Sequence, residues 1–215
     1  MRIALSAALA ALVVLGSVPA LCAADADDPS AIVQASAEGL LQGLDANREM
    51  YRKDPSKVRE LVDKFLLPHF DIQFSARLVL GPHWRDASAQ QRQAFVDAFE
   101  SSLLTNYGSA LAEFTANRLK VLPSRTEAGA SSATVRTQIR RDDGSTVDVN
   151  YQLHRTAAGW QAWDVVIDGI SYVKSFRDDF GAEIDKDGLD SVIQRLQHGA
   201  KPASIGAKPE AGRKS

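Results

Sequence analysis

Apolar positions along the chain change their period once, near its middle. After Pro29, Ile32, Val33, Leu40, Leu41 and Leu44 keep returning to one face at helical spacing, interrupted but not stopped by Gly39 and Gly43. Asp54-Pro55 opens a second helix, where Val58, Leu61, Val62, Phe65 and Leu66 fall at i, i+3, i+4, i+7 and i+8, and Pro68 ends it. Asp71 is placed to cap a third, carrying Ile72, Phe74 and Leu78 to the break at Gly81-Pro82. The fourth starts from the capping-box pair Ser88 and Gln91 and bears Phe95, Val96, Phe99, Leu103, Leu104 and Tyr107 as a wide apolar stripe.

The period then drops to two. Val147, Val149, Tyr151 and Leu153 alternate with Asp148, Asn150, Gln152 and His154, and upstream Ala133, Val135, Thr137 and Ile139 alternate with Thr134, Arg136, Gln138 and Arg140. Arg141-Asp142-Asp143-Gly144 joins them as a hairpin through its Asp-Gly pair. Leu119 and Val121 mark a preceding strand. Trp163, Val165 and Ile167 mark a following one, entered through a turn at Ala158-Gly159. Asp168-Gly169-Ile170-Ser171 turns the chain into a closing helix with Tyr172, Phe176 and Phe180, and a short helical segment runs from Gly188 to Leu196. Helices followed by four successive antiparallel strands predict an α+β domain, its N-terminal helices folded over one side of a curved sheet.

The chain ends change the picture of what folds. Arg2, the uncharged run Ala4 to Val18, Pro19 and the small residues Ala20 to Ala24 have the order of a secretory signal peptide, too short for a transmembrane helix. Cleavage after Ala24 is expected, with Cys22 lost; Leu21 is too large for the alternative, lipoprotein processing at that cysteine. Residues 199–215 hold four basic residues, one acidic residue and only one large apolar side chain, Ile205, and are expected to be a disordered basic tail. The domain is therefore expected at 25–198, acidic where the tail is basic.

Composition excludes more than it assigns. With 25 Lys+Arg against 27 Asp+Glu the chain is no general nucleic-acid binder, and one cysteine excludes a disulfide framework or a cysteine-rich metal site. His69, His83, His154 and His198 show no ligand spacing. Asp185-Lys186-Asp187-Gly188 lacks the later acidic positions of a calcium loop, and neither a phosphate-binding glycine loop nor a nucleophile elbow is present. The many aromatic residues suit a large core as well as a cavity.

Three segments resemble one family. Leu80-Gly81-Pro82-His83-Trp84-Arg85-Asp86-Ala87-Ser88 with Gln91-Arg92 and Phe95-Val96-Asp97-Ala98-Phe99 is the first. The second is Tyr151-Gln152-Leu153 with Gly159-Trp160-Gln161-Ala162-Trp163-Asp164-Val165-Val166-Ile167-Asp168-Gly169-Ile170-Ser171. The third is Phe176-Arg177 and Phe180 ahead of Asp187-Gly188-Leu189-Asp190-Ser191-Val192-Ile193. In this order, between Leu40 and Leu196, they resemble the MlaC family of periplasmic phospholipid-transfer proteins, also known as the toluene-tolerance or ABC-transporter auxiliary family. Trp163 stands where that family often has Tyr, Asp190-Ser191-Val192 replaces Asp-Gly-Leu, and the basic tail is not a family hallmark.

The resemblance implies a cone-shaped fold of the nuclear-transport-factor type around an apolar cavity, with bound phospholipid as cargo and no cofactor. It implies a monomeric carrier shuttling lipid between an inner-membrane MCE-ring ABC transporter and an outer-membrane lipoprotein-porin complex, so maintaining outer-membrane lipid asymmetry. Exposing two acyl chains of roughly 30 methylenes would cost some 24 kcal/mol, so the cavity must replace bilayer almost completely.

The expected lining is Val135, Ile139, Val147, Val149, Tyr151, Trp163, Val165 and Ile167 of the sheet with Phe74, Phe95, Phe99, Leu103 and Tyr107 of the helices. Ile170 is a candidate mouth residue, with a plain core role as its alternative. Arg136, Arg140 and Arg141 are candidates for the head group, for a docking face or for a solvated strand. Gly81-Pro82 and Gly169 are candidate hinges. Two rivals stand beside the carrier: an enzyme of the same cone fold, needing an acid among the inward residues where only Tyr107 and Tyr151 are offered, and an adaptor whose apolar residues are only core.

Overall fold

A computed structural model describes residues 28–112, 118–123, 126–127, 129–141 and 143–199; the signal-peptide and tail expectations lie outside them, but for Gly199. Six helices come first: α1 (Pro29–Ala46), α2 (Arg48–Lys53), α3 (Val58–Phe65), α4 (Ile72–Leu80), α5 (His83–Asp86) and α6 (Ala89–Ala112). The strands follow, β1 (Leu119–Val121), β2 (Ser132–Arg140), β3 (Thr146–Thr156), β4 (Gly159–Ile167) and β5 (Ile170–Ser171), and then α7 (Tyr172–Asp187) and α8 (Leu189–Gln197). None of these helices is long and apolar enough to cross a membrane.

Local chemistry sets the boundaries. Asp28 accepts from Ser30 N at 2.9 Å and Asp71 from Phe74 N at 2.9 Å, each satisfying an orphan amide of its helix. The Ser88–Gln91 capping box is reciprocal, with Ser88 N donating to Gln91 Oε1 at 3.0 Å and Gln91 N to Ser88 Oγ at 3.1 Å.

The sheet is antiparallel throughout, in the order β1-β2-β3-β4-β5. Its fifth strand was not expected. Asp168 at φ 47° and Gly169 at φ 83° form a two-residue turn with both φ positive, which folds Ile170 and Ser171 back onto Ile167 and Val166 before α7 begins.

A second departure comes from β4. Gln152 pairs with Asp164 and Leu153 with Ala162, leaving Trp163 as the extra residue of a bulge. The bulge resets the alternation, so Ala162, Val165 and Ile167 share the inner face while Trp163 and Asp164 go to the outer one. Helices therefore cover β4 on both faces, not on one side only. Phe74 of α4 meets the Trp163 ring edge-on at 5.8 Å, and Ser75 Oγ donates to Trp163 O at 2.6 Å. Asp164, 3% exposed, accepts from Ser171 Oγ at 2.6 Å and Val173 N at 3.0 Å, tying β4 to the start of α7.

Buried residues form three clusters. One joins α4, α6, α7 and α8 outside the sheet; a second joins α1, α2 and α3; a third joins the start of α1 to Val135, Leu153, Trp160 and Ala162 on the inner face.

Candidate lipid-binding cavity

Between α1 and the inner face of the sheet lies a cavity of about 490 Å³, within the range of roughly 300–1,000 Å³ usual for small-molecule sites. The sheet forms its floor through Leu119, Ile139, Val147, Val149, Tyr151, Leu153, Ala162, Val165 and Ile167. Its roof is one stripe of α1: Ile32, Val33, Ser36, Ala37, Leu40 and Leu41. Leu66, His69 and Phe70, from the chain between α3 and α4, close one side, and Arg141 stands at the end of β2. Phe70 is held there by a bridge to Ala162, and Asp71 N donates to Ala162 O at 2.8 Å.

Few polar atoms enter this space, and two of the polar side chains, Ser36 and Tyr151, spend their hydrogen bonds within the fold. Ser36 Oγ donates to Ile32 O at 2.8 Å. Thr137, buried on the inner face of β2, donates to Val149 O at 2.8 Å. Burial pushes the Tyr151 phenol above its ordinary pKa, with its hydrogen bond to Thr137 pulling the other way. That phenol stays neutral at physiological pH. Among the described residues no Asp or Glu lines the cavity, and no group of three His, Cys, Asp or Glu is arranged to hold a metal.

Six of the residues expected from the sequence meet here: Ile139, Val147, Val149, Tyr151, Val165 and Ile167. The other eight do not line the cavity. Trp163 is turned outward by the bulge, and Phe74 packs with it and with His154, whose Nε2 lies 3.0 Å from Asp71 Oδ2. Phe95 and Phe99 stack parallel at 5.7 Å, as do Phe176 and Phe180 at 5.8 Å, and the two pairs meet edge-to-face in the outer core. Leu103 and Tyr107 pack against that core. Val135 faces inward but is fully buried at the closed end, beside Leu153 and Trp160. Ile170 is 49% exposed on β5, paired with Ile167 and outside the lining.

The α1 stripe was the main omission. Its signal was present: positions 32, 33, 36, 37, 40 and 41 carry no charge, while Gly39 and Gly43 keep a neighbouring face bare. A Cβ on Gly39 would lie 2.3 Å from Phe65 Cδ1 and one on Gly43 2.5 Å from Leu61 Cδ2, so these glycines seat α1 tightly on α3. With one face used for α3, the other is left for the cavity.

Comparison with known proteins agrees with this architecture. The chain is 31% identical over 180 residues to toluene tolerance protein ttg2D of Pseudomonas putida, covering 83% of each chain. It is 23% identical over 180 residues to the intermembrane phospholipid transport system binding protein MlaC of Haemophilus influenzae, covering 82% of this chain and 84% of that one. Among solved structures, a phospholipid-binding protein from Ralstonia solanacearum, in complex with a phospholipid, superposes with a TM-score of 0.74 at 25% identity, over 80% of this chain and 96% of that one. The family model described as MlaC protein matches residues 34–198, from the cavity roof to the end of α8, and the chain belongs to the MlaC family.

Proposed function

We propose that this protein is a soluble periplasmic carrier that holds phospholipid acyl chains between α1 and the inner face of the sheet. The observation that carries the reading is the cavity itself: about 490 Å³ of apolar space, where a filled core would have packed shut. The phospholipid bound by the Ralstonia solanacearum relative and the transport role named for the Haemophilus influenzae one support it. Residues 1–24 act as the cleaved export signal. The partners are an inner-membrane MCE-ring ABC transporter and an outer-membrane lipoprotein-porin complex, between which the carrier moves lipid to maintain outer-membrane asymmetry.

In this reading the chemistry is transfer without bond making, driven by differential affinity along the route. Among the described residues the lining offers a neutral phenol and no carboxylate, which favours cargo over a reacting substrate. Loading requires the helices over the sheet to open, with Gly81-Pro82 and Gly169 as the proposed hinges.

Organic extraction and mass spectrometry of the purified protein test this. Stoichiometric phospholipid is expected. A protein free of any ligand would support an adaptor instead, and a smaller metabolite converted on incubation would support an enzyme. Lipid movement between vesicles bearing each membrane complex tests the partners, and no acceleration over protein-free controls would remove them.

A further inference from the structure

We propose that Arg141 binds the phosphodiester of the cargo lipid at the cavity mouth. The inference rests on the carrier reading and adds head-group chemistry to it. Strand alternation puts Val135, Thr137 and Ile139 on the inner face of β2, and Arg141 occupies the next position in that phase, where the pattern calls for an aliphatic residue. Its N–H donates to Ser145 O at 2.8 Å, so the hairpin carries the inner-face phase one residue past the strand. By the same alternation Arg136 and Arg140, both exposed, belong to the outer face. The three arginines that the sequence left equivalent are thereby separated.

Arg141 borders the cavity and is itself exposed. A long stem on an apolar rim with its charge in water is the usual disposition of such a side chain. Among the described residues no carboxylate forms an ion pair with it. Asp143 of the same turn feels its charge but takes hydrogen bonds from Ser145 N at 2.9 Å and Ser145 Oγ at 2.6 Å. Of the other described lining residues, only His69 is a basic residue.

Distance along the strands points the same way. The inner-face pairs run from Ile139–Val147 near Arg141 to Ala133–Leu153, a depth of about 20 Å at the usual rise per residue. That far end is closed by Val33, Val135, Leu153 and Trp160, all buried. One leaflet of a bilayer is about 15 Å of hydrocarbon with about 5 Å of head-group layer above it, so a chain whose tip reaches the Val135–Tyr151 pair, six residues or about 20 Å before Arg141, brings its phosphate to the level of Arg141. A guanidinium there is permanently charged and can meet two phosphate oxygens at once.

The test uses protein expressed as the full chain and stripped of lipid. It is offered dioleoylphosphatidylglycerol or dioleoylglycerol, which share acyl chains and differ in the phosphate-bearing head group; native mass spectrometry reads the bound fraction. The wild type is expected to hold the phospholipid about tenfold more tightly. R141Q brings the two lipids to near-equal binding with an unchanged Tm, and R141K keeps most of the preference. A preference that survives in R141Q overturns the assignment while leaving the carrier intact. Failure of the wild type to hold either lipid overturns the carrier reading, and this one with it. Inorganic phosphate at millimolar concentration should not displace the phospholipid; displacement would mark a free-anion site and overturn the lipid head group as the source.

Discussion

Gly39 and Phe99 show how differently single residues weigh on this protein. An alanine at Gly39 would drive its Cβ into the Phe65 ring, 2.3 Å away. Such overpacking costs about 1–3 kcal/mol, so G39A is expected to lower the Tm and to disturb the cavity roof. Gly181 of α7 is the control: a Cβ there meets nothing within 4 Å, and G181A should gain up to about 1 kcal/mol of helix propensity. Thermal melts of the two variants, compared side by side, check both signs. Phe99, 2% exposed in the outer aromatic core, should lose about 3–5 kcal/mol on truncation to alanine, with lipid content per folded molecule unchanged. Ala37 of the roof predicts the converse. A37W places a large ring in existing apolar space, so extracted lipid should fall while the Tm holds; a lipid content equal to wild type would count against α1 as the roof.

At the scale of elements, the bulge at Trp163 decides the arrangement. One inserted residue lets β4 give Ala162, Val165 and Ile167 to the cavity and Trp163 and Asp164 to the helices behind it. Asp164 then carries the junction with α7, through Ser171 Oγ and Val173 N. D164A removes both acceptor contacts from a buried site, an expected loss of about 1–3 kcal/mol, measurable by denaturant unfolding. The loss should be matched by earlier hydrogen exchange at the start of α7, and α1 should be spared. The helix caps at Asp71 and Ser88 were legible from spacing alone, because a cap is a contact within three residues of itself. The bulge was not, since an alternation read backward from Ile167 and Val165 passes through Trp163 without a break. Only pairing with β3 shows that one residue has no partner. The two-residue β5 escaped notice for a related reason: Asp168-Gly169 has the composition of both a hairpin and a helix entry.

For the molecule as a whole, the sheet is a partition between two apolar interiors, one packed with aromatic rings and one left open. Titration at high pH probes the packed side. Burial, then the neighbouring Tyr172 and Asp179, pushes the Tyr107 phenol from 10.0 up to about 12. A group whose pKa is raised on folding stabilises the native state below its unfolded value, so stability should be full below about pH 10 and decline as pH rises from there towards 12. In Y107F this alkaline decline of the Tm should be shallower, though still present, because burial raises Tyr151 and Tyr172 too. A decline as steep as in wild type would place the alkaline lability elsewhere.

What the sequence determined by itself follows from near-neighbour physics. The helical stripes, the change of period, the caps and the β2–β3 hairpin each depend on residues a few positions apart, and a resemblance carried by three ordered segments named the family. The inner face of β3 was legible for the same reason, as were Ile139, Val165 and Ile167. Which apolar face meets which was decided by the tertiary structure. The stripe of α6 and the stripe of α1 look alike along the chain, yet Phe95 and Phe99 fill a core against Phe176 and Phe180, while Ile32 to Leu41 span a space that no side chain fills. Periodicity records that a face leaves water; whether protein or lipid takes the water's place depends on the distance to the opposing surface, and that distance is set by glycines at 39 and 43 and a single bulge at Trp163, acting across the fold.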